Sequence, residues 1–81
     1  MSTLRVKVLS HDGCQFDGEV KSIKIPSTNG PLGILPNHTP LITSLVTGNV
    51  TLQQEDGADK VIPINGGVLD VKKDSTVILI S

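Results

Sequence analysis

Ser10-His11-Asp12 brings a hydroxyl, an imidazole and a carboxylate into three consecutive positions, the residue types of nucleophilic catalysis. A working triad needs those groups to converge in space. Neighbours at the end of a strand do not converge by adjacency alone. A small hydrolase using Ser10, His11 or His38 is therefore the weakest of the readings these residues allow. Metal binding would require Cys, His and carboxylates at ligand spacing. His11, His38 and the single Cys14 are scattered over turn regions, and no such cluster forms in the sequence. Cys14 has no intramolecular disulfide partner, and its neighbours include nothing suited to stabilising a thiolate. Gly30-Pro31-Leu32-Gly33 and Asn65-Gly66-Gly67 are glycine loops, yet neither opens a helical pattern or carries the lysine of a phosphate loop. Glu55 and Asp56 read as a solvated turn. No catalytic residue, cofactor or metal is expected.

The elements that could position a site are strands. The 81-residue chain holds nine Val, eight Ile, nine Leu and seven Thr, against one Phe and one Ala. Branched side chains of this kind favour pleated sheet over helix. Leu4, Val6 and Val8 alternate with Arg5 and Lys7, which makes Leu4–Ser10 a half-buried strand. Further strands are expected over Cys14–Phe16, Glu19–Ile25, Leu32–Leu35, Leu41–Val46, Val50–Gln53, Lys60–Ile64, Val68–Val71 and Thr76–Ile80. Asp17-Gly18 is expected to be a turn, and Asp56-Gly57 a hairpin. In Glu19–Ile25 the parity of Val20 conflicts with that of Ile23 and Ile25, which calls for a bulge or a strand that passes between sheets. Pro63 argues for an edge strand. The whole reads as a single all-β domain over residues 1–81, a flattened β-sandwich of about ten short strands.

Gly30 to Leu41 holds Pro31, Pro36 and Pro40 among apolar residues. Proline fixes φ and biases the preceding residue to extended shapes, so this stretch is a stiff loop and strand that cannot be helical. A stiff loop can present a surface at little entropic cost. Net charge is −1 with mixed signs, which leaves out the basic footprint of a nucleic-acid binder. The single Phe and the absence of Trp and Tyr leave little to stack on bases or sugars. No apolar run reaches membrane-spanning length, and the start carries no secretory pattern. The residues alone leave two readings for Leu32, Ile34, Leu35, Leu41 and Ile42 of the proline loops: they plug the ends of the sandwich, or some of them form an exposed patch that binds a partner. A sandwich module for a peptide or a carbohydrate is the alternative.

Val8-Leu9-Ser10, Phe16 with Gly18, Gly30-x-Leu-Gly-Ile, Pro36-x-His38-x-Pro40-Leu41 and Asn65-Gly66-Gly67-Val68-Leu69-x-Val71 together resemble the epsilon subunit family of F-type ATP synthases. The resemblance runs over essentially the whole chain. It implies a ten-stranded β-sandwich of the rotor stalk that packs on the gamma subunit, stands on the polar loops of the c-ring and performs no bond chemistry. By position it implies that Ser27, Thr28, Asn29, Gly30 and Pro31 form the ring-facing loop. Ser10, His38, Leu41, Ile42 and Thr43 would lie towards gamma. Family members often carry an acidic residue where Pro31 stands, so Asn29, backbone carbonyls or shape would have to serve instead. The implied place is the cytoplasmic face of the bacterial inner membrane, reached through the complex and without lipid insertion. Most of the family continues into a C-terminal helical hairpin where this sequence stops at Ser81. The expectation is a naturally short subunit, without inhibition by an inserted helix and without nucleotide sensing.

Overall fold

The computed structural model describes residues 3–37, 39–73 and 75–80. Among these, nine strands form and no helix. They are β1 (Leu4–Ser10), β2 (Gly13–Val20), β3 (Ser22–Ser27), β4 (Gly30–Ile34), β5 (Leu41–Leu45), β6 (Gly48–Gln53), β7 (Asp59–Ile64), β8 (Gly67–Val71) and β9 (Ser75–Ile80). One curled sheet runs β2-β1-β9-β8-β5-β3-β6-β7, with β4 paired to β3. β5 and β3 share a single ladder pair among the described residues, Ser27 with Leu45. That pair is the corner at which the sheet folds into two layers, β2-β1-β9-β8-β5 and β4-β3-β6-β7.

Alternation fills the space between the layers. Val6, Val8, Leu69 and Ile78 from the first layer and Ile23, Ile25, Ile34, Val50 and Leu52 from the second are essentially inaccessible and belong to one apolar cluster. Fully burying each aliphatic side chain is worth about 1.5–3 kcal/mol, so this cluster is the main support of a small domain. Most neighbours pair antiparallel, but β1 and β9 run parallel, with Val6 beside Thr76 and Val8 beside Ile78.

Three local features depart from or refine the sequence reading. Asp17-Gly18 does not turn the chain. It lies inside β2, where Gly18 sits opposite Val6 and the Phe16 ring lies at contact distance from the place a Gly18 Cβ would take. Asp17 meets the Arg5 guanidinium across the ladder at 2.7 Å. Glu19–Ile25 is two strands, because the chain breaks at Lys21 and passes from the first layer to the second, and this resolves the parity conflict of Val20. The Lys21 N–H bonds to the Gln53 carbonyl at that crossing. Pro63 stands on β7, an edge strand as expected, opposite Asn49.

The strand pairings gather four connections at one pole: His11–Asp12, Thr28–Asn29, Val46–Thr47 and Asn65–Gly66. The remaining turns, among them Gln54–Ala58 and the β8–β9 connection, lie at the opposite pole.

Candidate functional site

Ser27-Thr28-Asn29-Gly30 closes the β3–β4 hairpin with Ser27 opposite Gly30. The Ser27 hydroxyl donates to the Gly30 carbonyl at 2.5 Å and accepts from the Asn29 N–H at 3.2 Å. Gly30 has φ +107°, a conformation costly for any residue with a Cβ. Serine at the first position and glycine at the last therefore fix the turn from within. The next pair, Pro26 with Pro31, follows a hydrogen-bonded pair, so neither ring nitrogen is needed for the β3–β4 ladder. The Thr28 N–H bonds to the Ser44 carbonyl, which ties the hairpin to β5.

The five residues expected in a ring-facing loop thus divide by role. Thr28, Asn29 and Pro31 are exposed, Gly30 is half-buried, and Ser27 is buried, its hydroxyl holding the turn from inside. Ser10 repeats the arrangement in Ser10-His11-Asp12-Gly13. Its Oγ contacts the Gly13 carbonyl at 3.4 Å, the Asp12 N–H at 3.3 Å and the Gln15 amide at 2.9 Å, and Gly13 has φ +122°. The Ser10 hydroxyl is committed to its own turn and to Gln15, while the exposed His11 imidazole lies beside Asp12. These groups do not assemble as a catalytic triad. No group of three or more His, Cys, Asp and Glu residues suited to a metal ion occurs among the described residues.

The described residues expected towards gamma do not share one face. Ile42 projects outward and is 74% exposed, whereas Leu41 and Thr43 are half-buried on the inner side, because three successive strand residues cannot share a face. Leu41 packs against the core. His38 lies outside the described residues. Ser10 on β1 and Ile42 on β5 are separated by β9 and β8, a lateral span of about 14 Å at ordinary strand spacing.

That span is covered by apolar side chains. Leu79 stands opposite Val68 and beside Leu9, and Val77 pairs with Asp70, whose other neighbour is Ile42. Leu79, Val68 and Ile42 are all substantially exposed. The result is an apolar row of Leu9, Leu79 and Val68 across the outer face of β1, β9 and β8, which meets Ser44 on β5, while Ile42 stands in the adjoining row beside Asp70, Val77 and Lys7. Sequence reasoning missed Val68 and Leu79. Their signal was the unbroken run Val77-Ile78-Leu79-Ile80, half of which must point away from the core of a two-layer sandwich. Exposed apolar side chains gathered on one wall mark an interaction site, whereas single ones need no explanation.

The profile of the family described as "ATP synthase, Delta/Epsilon chain, beta-sandwich domain" matches residues 3–81. The chain belongs to this family. It is 39% identical over 79 residues to the ATP synthase epsilon chain of an Exiguobacterium species, covering 98% of this chain and 58% of that one. It is 37% identical over 79 residues to the epsilon chain of Delftia acidovorans, covering 98% of this chain and 57% of that one. The chain therefore spans rather less than three-fifths of these relatives. A chain in a cryo-EM structure of the Euglena gracilis mitochondrial ATP synthase with OSCP, F1 and c-ring superposes with TM-score 0.92 at 21% identity, covering 99% of this chain and 51% of that one. A chain in the central stalk and c-ring structure of the Tetrahymena thermophila mitochondrial ATP synthase superposes with TM-score 0.79 at 15% identity, covering 98% and 63%. At such identities these likenesses establish a shared fold.

Proposed function

We propose that this domain is the β-sandwich of an ATP synthase epsilon subunit, a non-catalytic part of the rotor that couples ion flow through the c-ring to ATP synthesis. It sits at the cytoplasmic face of the bacterial inner membrane and reaches that membrane only through the complex. The observation that carries the reading is the apolar band Leu9, Leu79, Val68 and Ile42 on one wall of an otherwise well-packed sandwich. It gives the gamma subunit an apolar centre over Leu9, Leu79 and Val68, with Asp70 at its border between Val77 and Ile42, of the kind that forms the dry core of protein–protein contacts inside a polar rim.

The turn-rich pole supplies the second contact. Thr28 and Asn29 offer hydroxyl, amide and backbone groups on a hairpin whose shape is set by Ser27, Gly30 and the Pro26–Pro31 pair. A preorganised polar tip of this kind suits the polar loops of a c-ring and loses little entropy on contact. Pro31 contributes shape and no charge. Torque transmission requires stiffness rather than chemistry, and the buried aliphatic core with its short, internally bonded turns provides it.

The test is co-purification with a gamma subunit, read by hydrogen exchange. Protection is expected across β8, β9 and the start of β5. Protection confined to β6 and β7, or none, contradicts the reading.

A further inference from the structure

Residues 25–54 contain no Asp, Glu, Lys or Arg, although the 81-residue chain has seven basic and eight acidic residues. Residues 61–69 are likewise without charge. The fold brings the turns of both segments together at the turn-rich pole: Thr28–Asn29, Val46–Thr47 and Asn65–Gly66. Hydrogen bonds join them. The Thr28 N–H donates to the Ser44 carbonyl and the Val46 N–H to the Pro26 carbonyl, each at 3.1 Å. The Thr47 hydroxyl donates to the Asn65 carbonyl at 3.3 Å. Three turns thus form one surface of fixed shape. His11 and Asp12 share the pole, but they stand on the β1–β2 turn, and β9 and β8 separate β1 from β5.

Val46 is the residue that folding does not explain. Turns favour Gly, Pro, Asn, Asp and Ser. This valine occupies a two-residue connection, is 40% exposed, and belongs neither to the core cluster nor to the side chains packed against it. Alone, an exposed valine would need no explanation. Here it stands within a surface from which charge is absent over two separate segments. A partner carboxylate or ammonium pressed against that surface would lose its water and find no countercharge. Neutral side chains and backbone groups are the chemistry that fits, with an apolar group for Val46.

We propose that all three turns, and not the β3–β4 hairpin alone, seat this domain on the polar loops of the c-ring, through neutral hydrogen bonds and the Val46 side chain and without ion pairs. The proposal rests on the rotor-stalk reading and adds Val46, Thr47 and Asn65 to its ring contact.

The test is capture of a purified c-ring by gamma alone and by gamma with this chain, at low and high ionic strength. The gain from the wild-type chain is expected to change by less than about threefold between the two conditions. Val46→Asp and Thr47→Lys should each reduce the gain by at least about tenfold, while Ala58→Lys, at the opposite pole, leaves it unchanged. Both variants keep the backbone bonds, and thermal melting checks their folding. Hydrogen exchange of the wild-type complex needs no variant: adding the ring should protect 27–30, 46–48 and 65–66 together. No gain from the wild-type chain contradicts both the proposal and the ring contact itself. A gain that both variants retain, one that vanishes at high ionic strength, or protection confined to 27–30 overturns the three-turn seat and leaves the stalk reading standing. Binding of the chain to phosphatidylglycerol vesicles that both variants abolish would also overturn it, by assigning the surface to lipid.

Discussion

The Ser27 hydroxyl donates to the Gly30 carbonyl across a turn of two residues, and Ser10 bears the same relation to Gly13 seventeen positions earlier. The two hairpins lie at one pole, and each is closed from within by serine and glycine. They differ in burial: Ser27 is 4% exposed, while Ser10 is only half-buried. The Ser27 hydroxyl is buried and its bonds to the Gly30 carbonyl and the Asn29 N–H are partly shielded from water, whereas water can replace the Ser10 hydroxyl. Ser27→Ala is therefore expected to cost about 1–2 kcal/mol and Ser10→Ala about 0.5 kcal/mol or less. Urea denaturation of the two variants checks the order, and equal costs would refute the assignment of Ser27 as the stronger clamp.

Gly67 is the position least able to change. It has φ +148°, and a Cβ there would stand 2.1 Å from the Leu79 carbonyl oxygen. The obstacle is backbone, so no side-chain adjustment relieves it. Gly67→Ala combines backbone strain with separation of β8 from β9, and a loss of about 3 kcal/mol or more is expected. In a domain whose total stability is about 4–12 kcal/mol, thermal melting should show a fall in Tm of more than about 10 °C. A shift of one or two degrees would contradict the geometry.

Gly48 is restricted by a side chain instead. A Cβ on Gly48 would meet Pro26 Cγ at 2.9 Å. Gly48→Ala is expected to cost about 1–2 kcal/mol in wild-type background and distinctly less when Pro26 is also alanine. A double-mutant cycle reads the coupling, and strict additivity of the two changes would show that the Pro26 ring is not the obstacle.

Much of this architecture was legible in the residues. Alternation in Leu4–Ser10, the Asp56-Gly57 hairpin and the edge position of Pro63 all follow from period-2 burial and turn chemistry, which act locally. Asp17-Gly18 misled because its glycine serves the Phe16 ring and not a turn, a reason visible only once β2 is folded. The parallel pairing of β1 with β9 joins the two ends of the chain, and no local pattern specifies such a partner. For the candidate site, strand alternation alone would have separated Ile42 from Leu41 and Thr43. Val68 and Leu79 became a surface only when β8 and β9 were placed between β1 and β5.

The central claim is that the outer wall of β1, β9, β8 and β5 seats the gamma subunit. The direct measurement is the gamma-binding affinity of Leu79→Lys and Val68→Asp beside Val61→Asp, a change at a similarly exposed apolar residue on β7. All three are expected to fold within about 1 kcal/mol of wild type, because these side chains lie on the outer face, 39–54% exposed and outside the core. Leu79→Lys and Val68→Asp should each weaken gamma binding by at least about tenfold, as loss of an interface centre does, while Val61→Asp binds like wild type. Unchanged binding by the first two variants, or loss confined to Val61→Asp, would contradict the account.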